Sequence, residues 1–386
     1  MNRAKKEPAE NEPRLRYGWT TGACATAATT AAYTALLTGG FPDPVEVRLP
    51  KGRRPRFALA TERLAPGSAT AGVIKDAGDD PDVTHGALIL ATVTPGPPGS
   101  GVTFRAGEGV GTVTRPGLPL PVGEPAINPV PRRLMTEAVQ RVAGEHGGTG
   151  DVVVEISIPD GAELARHTWN PRLGIVGGLS VLGTTGVVVP YSCSAWIDSI
   201  RRGVDVARAM GHRHVAGAVG STSERVVAEL YGLPESALLD MGDFAGAVLK
   251  YLRRHPVPRL SLAGGFAKMS KLAAGYLDLH SQRSQVDLGL LADLATGAGR
   301  PELATPIRAA NTALHALELA QAADLPLGEL VAERARRTAA EVLGDAPVTV
   351  DVVVVDRGGA IVGRAPTHGG GPGSDPGWVE RSRSAE

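Results

Sequence analysis

The alternation of apolar and polar positions divides the chain into two stretches with different element patterns. The first stretch contains short β-branched runs separated by Gly, Pro or Asp, among them VEVRLP, RFALAT, TAGVIKD, GALILATVTP and DVVVEISIP, which predict strands. An alanine-rich run after Cys24 and the segment VPRRLMTEAVQRVAGEHG, with Pro near its start and Gly at its end, predict helices. Residues 14–194 are therefore predicted to form an α+β domain, a mixed sheet with helices.

From about residue 195 the pattern changes to strands that alternate with helices. Three strand runs, HVAGAV, ALLDM and RLSLAG, are each followed by a glycine turn and a helical run. Such alternation predicts a parallel sheet with right-handed crossovers, here a Rossmann-like α/β domain at residues 195–364. Further helices are predicted near residues 303–322 and 327–343. The three turns contain Gly220, Gly242-Asp243 and Gly264-Gly265.

These turns are expected at the carboxyl ends of neighbouring parallel strands, where open α/β sheets bind ligands. Their glycines let a ligand approach the backbone, and the helices that follow present N–H groups. Glycines that simply make tight turns are the alternative. None of the turns forms GxGxxG or GxxxxGK[ST], so neither a standard dinucleotide fingerprint nor a P-loop is predicted.

Composition and charge exclude several classes of protein. Among 386 residues there are 40 Lys plus Arg and 40 Asp plus Glu, so no overall field attracts nucleic acid or an anionic membrane. The two cysteines form no disulfide framework or metal-binding spacing. The first residues lack the apolar core of a signal peptide, and no run reaches membrane-spanning length, so a cytoplasmic protein is expected. Residues 1–13 and 365–386 are expected to be flexible tails.

Four local segments have residues suited to chemistry. The first, Lys75 to Gly86, contains four aspartates and His85 after a strand and predicts either a substrate-facing loop with a general base or a solvated acidic turn. The second, GEGVG at 107–111, has glycine at every second position and predicts close contact with a flat ligand or with another backbone.

The third segment, Gly174 to Pro190, combines glycines with hydroxyl residues and favours contact with a carboxylate-rich or phosphate-bearing ligand, the alternative being an interdomain crossover. The fourth segment, Leu277 to Asp287, contains His280 and Arg283 and favours a ligand contact over a plain surface loop.

Seven strings in this order resemble the CbiD family: RYGWTTGACATAA, KDAGDDPDVTHGA, GEGVGTVTRPGL, VGEPAINPVPR, GGLSVLGTTGVVVPYS, MGDFAG and DLHSQRS. The resemblance runs from about residue 16 to about residue 364. It implies S-adenosylmethionine-dependent methylation of cobalt-precorrin-5B at C-1, giving cobalt-precorrin-6A, in the anaerobic, early-cobalt-insertion route of cobalamin biosynthesis. Cobalt then belongs to the substrate, and no metal is expected on the protein.

The resemblance, combined with the glycine turns, leads to specific site expectations. The α/β domain is expected to hold the methyl donor, with contacts from Gly220, Ser221, Asp240, Gly242, Asp243, Gly264 and Gly265. The α+β domain is expected to hold most of the tetrapyrrole, whose acetate and propionate arms would be contacted by Thr20, Thr21, Gly22, Gly177, Gly178, Gly183, Thr184, Thr185, His280 and Arg283. The residues expected to handle a proton on the macrocycle are Asp79, Asp82 and His85.

Two other functions stay open at this point, a non-catalytic tetrapyrrole carrier and a Rossmann oxidoreductase acting on a corrin precursor. The missing nicotinamide fingerprint argues against the oxidoreductase. The expected partner is cobalt-precorrin-5B, without nucleic acid or membrane. A homodimer is left open.

Overall fold

The computed structural model describes residues 15–366, which form two compact units. Unit 1 ends at Ala195 and unit 2 begins at Trp196. The chain is mixed α/β, as the sequence predicts, with helices and sheets in both units. No helix within these residues is long and apolar enough to cross a bilayer. The expected flexible tails lie outside the described residues, except for residues 365 and 366.

Unit 1 is built around a five-stranded sheet. The strands of unit 1, inside and outside this sheet, are β1 (Gly18–Trp19), β2 (Val45–Glu46), β3 (Arg56–Phe57), β4 (Thr61–Ala65), β5 (Ser68–Ile74), β6 (Leu88–Pro95), β7 (Val102–Ala106), β8 (Thr112–Val113), β9 (Val152–Ser157), β10 (Ile175–Val176) and β11 (Val187–Val188). Its helices are α1 (Thr21–Thr38), α2 (Pro129–His146) and α3 (Gly161–Ala165). The sheet order is β4-β5-β6-β9-β7, antiparallel except between β7 and β9, which confirms the mixed sheet.

Helix α1 packs tightly because its side chains are small. It begins after Thr20, whose side chain accepts a hydrogen bond from the Ala23 N–H, and ends at Gly39 in the left-handed region with φ +81°. Its alanines are fully buried against β5, β6 and α2. A Cβ on Gly22 would lie 2.7 Å from Pro131 Cγ in α2. A larger residue at position 22 would therefore push α1 and α2 apart.

Unit 2 is built around a second five-stranded sheet. Its helices are α4 (Ser194–Ala209, which begins at the unit boundary), α5 (Ser221–Tyr231), α6 (Ala245–Leu252), α7 (Phe266–Ala273), α8 (Leu288–Gly297), α9 (Ala304–Arg308), α10 (Ala313–Gln321) and α11 (Leu327–Leu343). Its strands are β12 (His214–Ala218), β13 (Leu238–Asp240), β14 (Arg259–Gly265), β15 (Thr349–Val355) and β16 (Ile361–Ala365). The order is β13-β12-β14-β15-β16, and β16 alone of these strands is antiparallel to its neighbour.

The two faces of this second sheet are covered differently. Helices α4, α6, α7, α8, α10 and α11 contribute to the larger apolar core on one face, whereas α5 covers the other face through Val226 and Val227. The predicted helix near 303–322 is divided into α9 and α10 because Thr312 is extended and its side chain caps the N-terminus of α10 at His315. Since β12, β13 and β14 are parallel, their carboxyl ends lie along one edge of the sheet, called here the strand-end edge.

The amino ends of these strands contain a buried polar network on the α5 face. Asp351 is fully buried and accepts hydrogen bonds from Ser261 Oγ at 2.8 Å, from Arg259 Nε at 3.2 Å and from the Tyr231 hydroxyl. The His214 Nε2 lies 2.8 Å from Ser261 Oγ, and burial, aided by Arg259, lowers the pKa of His214 to about 4. His214 is therefore neutral near pH 7 and belongs to this polar network.

Candidate functional site

The first candidate region lies in unit 1, where three segments that are distant in sequence meet. They are the TTG segment (Thr20–Gly22), the acidic loop (Lys75–Gly86) and the hydroxyl segment (Leu182–Val188). Backbone hydrogen bonds join Trp19 N to Asp76 O at 2.7 Å, Thr20 N to Gly186 O at 3.0 Å and Gly22 N to Leu182 O at 2.8 Å. The predicted substrate residues Thr20, Thr21, Gly22, Gly183, Thr184 and Thr185 are thus brought together, next to the acidic loop.

Glycine allows these segments to approach one another through their backbones. A Cβ on Gly18 would lie 2.0 Å from the Ala77 carbonyl carbon, and one on Gly183 would lie 2.2 Å from Thr20 Oγ1. Gly78 has φ +68°, and a Cβ there would lie 2.1 Å from Arg16 O. Real Cβ contacts are never this short, so any side chain at these positions would separate the segments.

A buried ion pair supports the acidic loop from within. The Lys75 side chain is 2% exposed, and its Nζ donates hydrogen bonds to Asp82 Oδ2 and Thr84 Oγ1. Burial raises the pKa of Asp82, but the Lys75 charge and the hydrogen bonds from Lys75 and Thr84 outweigh it and leave that pKa below its ordinary value. Asp82 is therefore ionised and bound in an ion pair with Lys75. This arrangement suits a structural role better than that of a general base.

The other two residues expected to handle a proton have different surroundings. The His85 ring is 51% exposed, and its Nδ1 accepts a hydrogen bond from the Ala77 N–H at 3.1 Å. In neutral His85 the proton is therefore on Nε2, the nitrogen that can exchange it with a ligand. Asp79 is exposed and accepts a hydrogen bond from the Arg16 N–H at 2.5 Å. Of the three residues, His85 has the geometry of a proton-transfer group.

Gly177 and Gly178, also expected to contact substrate, lie in a different contact. The Leu179 N–H donates to Gly109 O at 2.9 Å, and a Cβ on Gly178 would lie 2.2 Å from the same oxygen. The alternating glycines of GEGVG thus pack on another backbone, one of the two outcomes that their spacing predicts. Gly177, with φ +88° and open space around it, is exposed at the surface.

The second candidate region is the strand-end edge of unit 2, where the three predicted glycine turns lie together. The Met241 and Gly242 N–H groups donate to Ala218 O at 2.9 and 3.2 Å, which ties the turn after β13 to the end of β12. Gly220 has no atom within 4 Å of the position of a Cβ, and Gly265 has Val355 O at 4.0 Å. Open space beside two neighbouring strand ends allows a ligand to contact the backbone.

Gly242 and Gly264 are glycines for reasons of packing. A Cβ on Gly242 would lie 2.8 Å from the Trp196 ring, and one on Gly264 would lie 2.6 Å from Met269 Cε. The Trp196 Nε1 also donates to Asp240 O at 3.0 Å, so this indole holds the turn after β13 in place. Sequence reasoning grouped all the glycines as ligand contacts, whereas the structure separates open positions from packed ones.

Polar side chains complete the strand-end edge. Asp240 Oδ1 accepts a hydrogen bond from the Gly242 N–H at 3.2 Å, and Asp243 Oδ1 forms an ion pair with Lys268 Nζ. Lys268, which contacts Asp243, is not among the residues expected from the sequence. The available signal was its position in the first turn of α7, directly after the Gly264-Gly265 turn, where its side chain reaches back toward the strand ends.

The predicted residues His280 and Arg283 follow α7 in a loop attached to this edge. The Leu279 N–H donates to Asp243 O at 2.8 Å, and Leu279 O accepts from Lys268 Nζ at 3.2 Å and from the buried Lys271 Nζ at 3.0 Å. His280 is exposed, and Arg283 pairs with Asp278 at 3.0 Å. His280 and Arg283 therefore follow a loop residue that is bonded to Asp243, one of the residues expected to bind the methyl donor.

Comparison with known proteins identifies relatives over nearly the whole chain. The CbiD family model matches residues 8–190, and the model of the CbiD C-terminal domain matches residues 278–366. Proteins named cobalt-precorrin-5B C(1)-methyltransferase include one from Brucella anthropi, 62% identical over 94% of this chain and 98% of that protein. Another, from Paramagnetospirillum magneticum, is 62% identical over 92% of this chain and 99% of that protein.

A solved structure is also similar to the chain. The crystal structure of the cobalamin biosynthesis protein CbiD from Archaeoglobus fulgidus is 28% identical, covers 70% of this chain and 83% of its own, and superposes with a TM-score of 0.39.

Proposed function

Since the chain belongs to the CbiD family, we propose that it methylates cobalt-precorrin-5B at C-1, giving cobalt-precorrin-6A, in cobalamin biosynthesis. The observation that carries this proposal is 62% identity, over almost the full length of both chains, to methyltransferases of that name. Both candidate regions lie in segments that the aligned lengths include. The enzyme is a methyltransferase whose substrate brings the cobalt.

S-adenosylmethionine is the proposed methyl donor, and the strand-end edge is its proposed site. When bound, it supplies an electrophilic methyl group. Numbered along the chain, the strands of unit 2 have the order 2-1-3-4-5, that of a doubly wound sheet whose ligand crevice lies between its first and third strands. Those strands are β12 and β14. Of the two open glycines, Gly220 lies two residues after β12, and Gly265 is the last residue of β14. The proposed Rossmann-like character of unit 2 rests on this agreement.

Individual residues of the edge fit an adenosyl ligand. The Ser221 N–H at the N-terminus of α5 can donate to a carboxylate of the donor. Asp243 Oδ1 is held by Lys268, whereas its Oδ2 has no hydrogen-bond partner among residues 15–366. We assign Asp243 Oδ2 to a ribose hydroxyl, with Asp240 beside it. The ion pair with Lys268 holds the Asp243 carboxylate in one orientation.

The tetrapyrrole contacts in unit 1 are proposed to come from the TTG and hydroxyl segments. Their hydroxyl groups and backbone N–H groups can donate to the acetate and propionate arms. His85 Nε2 is assigned to transfer the proton that the macrocycle gains or loses. Asp82 holds the acidic loop in place through its ion pair with Lys75. Holding the reacting carbon in line with the methyl group, away from water, supplies much of the rate in such a transfer.

The test is an anaerobic incubation of the purified protein with cobalt-precorrin-5B and methyl-deuterated S-adenosylmethionine, followed by mass spectrometry of the tetrapyrrole. The proposal predicts that one labelled methyl group is gained and that one S-adenosylhomocysteine is released for each product. Binding of the tetrapyrrole without any gain in mass would establish the carrier instead. A change of two hydrogens that depends on a nicotinamide cofactor would establish the oxidoreductase.

A further inference from the structure

A groove along α6 in unit 2 contains a concentration of positive charge to which the roles above assign nothing. It encloses about 1060 Å³ and is lined by α4, by α6 with the residues that follow it, and by Leu277 and Asp278. Its basic side chains are Arg201, Lys250, Arg253, Arg254 and His255. The groove is therefore large enough for a ligand of the size that protein clefts enclose, roughly 300–1,000 Å³.

The cations of this groove have no acidic partners among the residues that the structure describes. Within residues 15–366, none of Arg201, Lys250, Arg253 and Arg254 forms an ion pair. The acidic residue of the lining, Asp278, pairs with Arg283 at 3.0 Å. The whole chain has formal net charge zero, so four unpaired cations around one groove are a local excess. Such an excess attracts an anion with several negative groups.

Helix stabilisation accounts for only part of this arrangement. Cations in and after the last turn of a helix interact favourably with its C-terminal dipole, and Lys250, Arg253 and Arg254 occupy such positions on α6. That effect requires nothing of Arg201, which comes from the neighbouring helix α4 and lines the same groove. It also gives no reason for the aromatic and apolar residues of the lining, among them Phe244 and Leu277.

Part of the groove lining is aromatic or apolar. Phe244, Leu277 and Tyr251 belong to it, and the Tyr251 ring centroid lies 4.3 Å from the His255 ring centroid and 6.0 Å from the Arg201 guanidinium. The Tyr251 hydroxyl donates to Asp205 at 2.8 Å, which fixes the ring. An apolar body that carries several charged groups matches a lining that combines such residues with cations.

One lining residue of the groove is adjacent in sequence to the proposed donor site. Phe244 lines the groove and directly follows Asp243, the residue assigned to the ribose, and Leu277 O accepts a hydrogen bond from the Gly246 N–H at 2.9 Å. This adjacency favours the substrate as the occupant over an unrelated anion.

We propose that the groove along α6 binds the macrocycle of a polycarboxylate tetrapyrrole, whose carboxylates form ion pairs with Arg201, Lys250, Arg253 and Arg254. The inference rests on the proposed function, because the acetate and propionate arms of that substrate are the carboxylates in question. All residues that line this groove belong to unit 2. Sequence reasoning placed only His280 and Arg283 of unit 2 in contact with substrate.

The test uses uroporphyrin III, an octacarboxylate tetrapyrrole, as a fluorescent probe with the full chain. The groove variant combines Lys250→Gln, Arg253→Gln and Arg254→Gln. A control variant combines Arg105→Gln, Arg334→Gln and Arg357→Gln, which removes the same charge from exposed positions outside the groove. The groove variant should bind the probe roughly tenfold more weakly than the wild type, and the control should stay within roughly twofold.

Each result decides the proposal. Equal affinity of the groove variant and the wild type, or equal weakening in both variants, would overturn it, provided that circular dichroism and donor affinity confirm that the groove variant is folded. If the wild type methylates cobalt-precorrin-5B while the groove variant binds and turns over normally, the groove inference fails and the proposed function stands. If the groove variant alone loses the probe but the wild type transfers no methyl group, the proposed function fails and the groove remains a tetrapyrrole site.

Discussion

Replacing Asp82 with asparagine is expected to destabilise unit 1 by about 3 kcal/mol. The Lys75 side chain is 2% exposed and the Asp82 side chain 24% exposed, so the variant leaves a buried ammonium group without its counterion. Removing one partner of a buried pair costs roughly 3–5 kcal/mol. We place the expected cost at the lower end, about 3 kcal/mol, because Asp82 is partly hydrated and Thr84 still accepts a hydrogen bond from Lys75.

The assay is urea unfolding near neutral pH, with Glu137→Gln as the matched control. Glu137 also loses a carboxylate from an ion pair, but its pair with Arg133 is exposed on α2, and the cost should be only about 0.3–0.5 kcal/mol. The double variant Lys75→Met with Asp82→Asn should lose less stability than Asp82→Asn alone, because no charge is then left buried. Equal stability of Asp82→Asn and Glu137→Gln would refute the structural role of the pair.

The pH dependence of this difference gives an independent check with a definite sign. The pKa of Asp82 is lower in the folded protein than its ordinary value, so the carboxylate stabilises the fold above an unfolded pKa of about 3.9. That contribution is lost as the pH falls through the lower, folded pKa. The stability gap between the wild type and Asp82→Asn should therefore be constant near neutral pH and shrink in acid.

Three other substitutions test the rest of the account. Gly178→Ala should destabilise the protein by about 1–3 kcal/mol in thermal or urea unfolding, since its Cβ meets Gly109 O at 2.2 Å, whereas Gly144→Ala in α2, with open space, should be neutral or slightly stabilising. Lys268→Met should weaken S-adenosylmethionine binding roughly tenfold in calorimetry, because Asp243 loses a charged hydrogen bond; unchanged affinity would remove the ribose assignment. His85→Gln should lower methyl transfer about 100-fold while uroporphyrin binding stays the same, and full turnover would exclude His85 from proton transfer.

The sequence predicts the elements of both units well because local signals determine them. Glycine turns after short apolar runs predict β12, β13 and β14 with the helices that follow, and Thr20 with the small residues after it predicts α1. The alternating glycines of residues 107–111 predict a close approach but leave its partner open, since the partner, Gly178, is distant in sequence.

The parts of the site that the sequence does not predict depend on tertiary contacts. Nothing near Lys75 in the sequence indicates that its side chain is buried and paired with Asp82. Arg201 and Arg253 likewise reach one groove only because α4 and α6 lie side by side. Trp196 and Met269 fill the space beside Gly242 and Gly264, so these glycines are packed while others of the strand-end edge are open. No local pattern indicates this packing.

The central claim, methyl transfer to C-1, is tested most directly by locating the transferred carbon. The purified protein is incubated with cobalt-precorrin-5B and S-adenosylmethionine labelled with carbon-13 in the methyl group, and the product is examined by carbon-13 NMR with long-range proton correlation. The account predicts one enriched methyl signal on a quaternary carbon that is assigned to C-1. An enriched methyl on any other ring carbon, or no enrichment in a protein that binds both ligands, would contradict it.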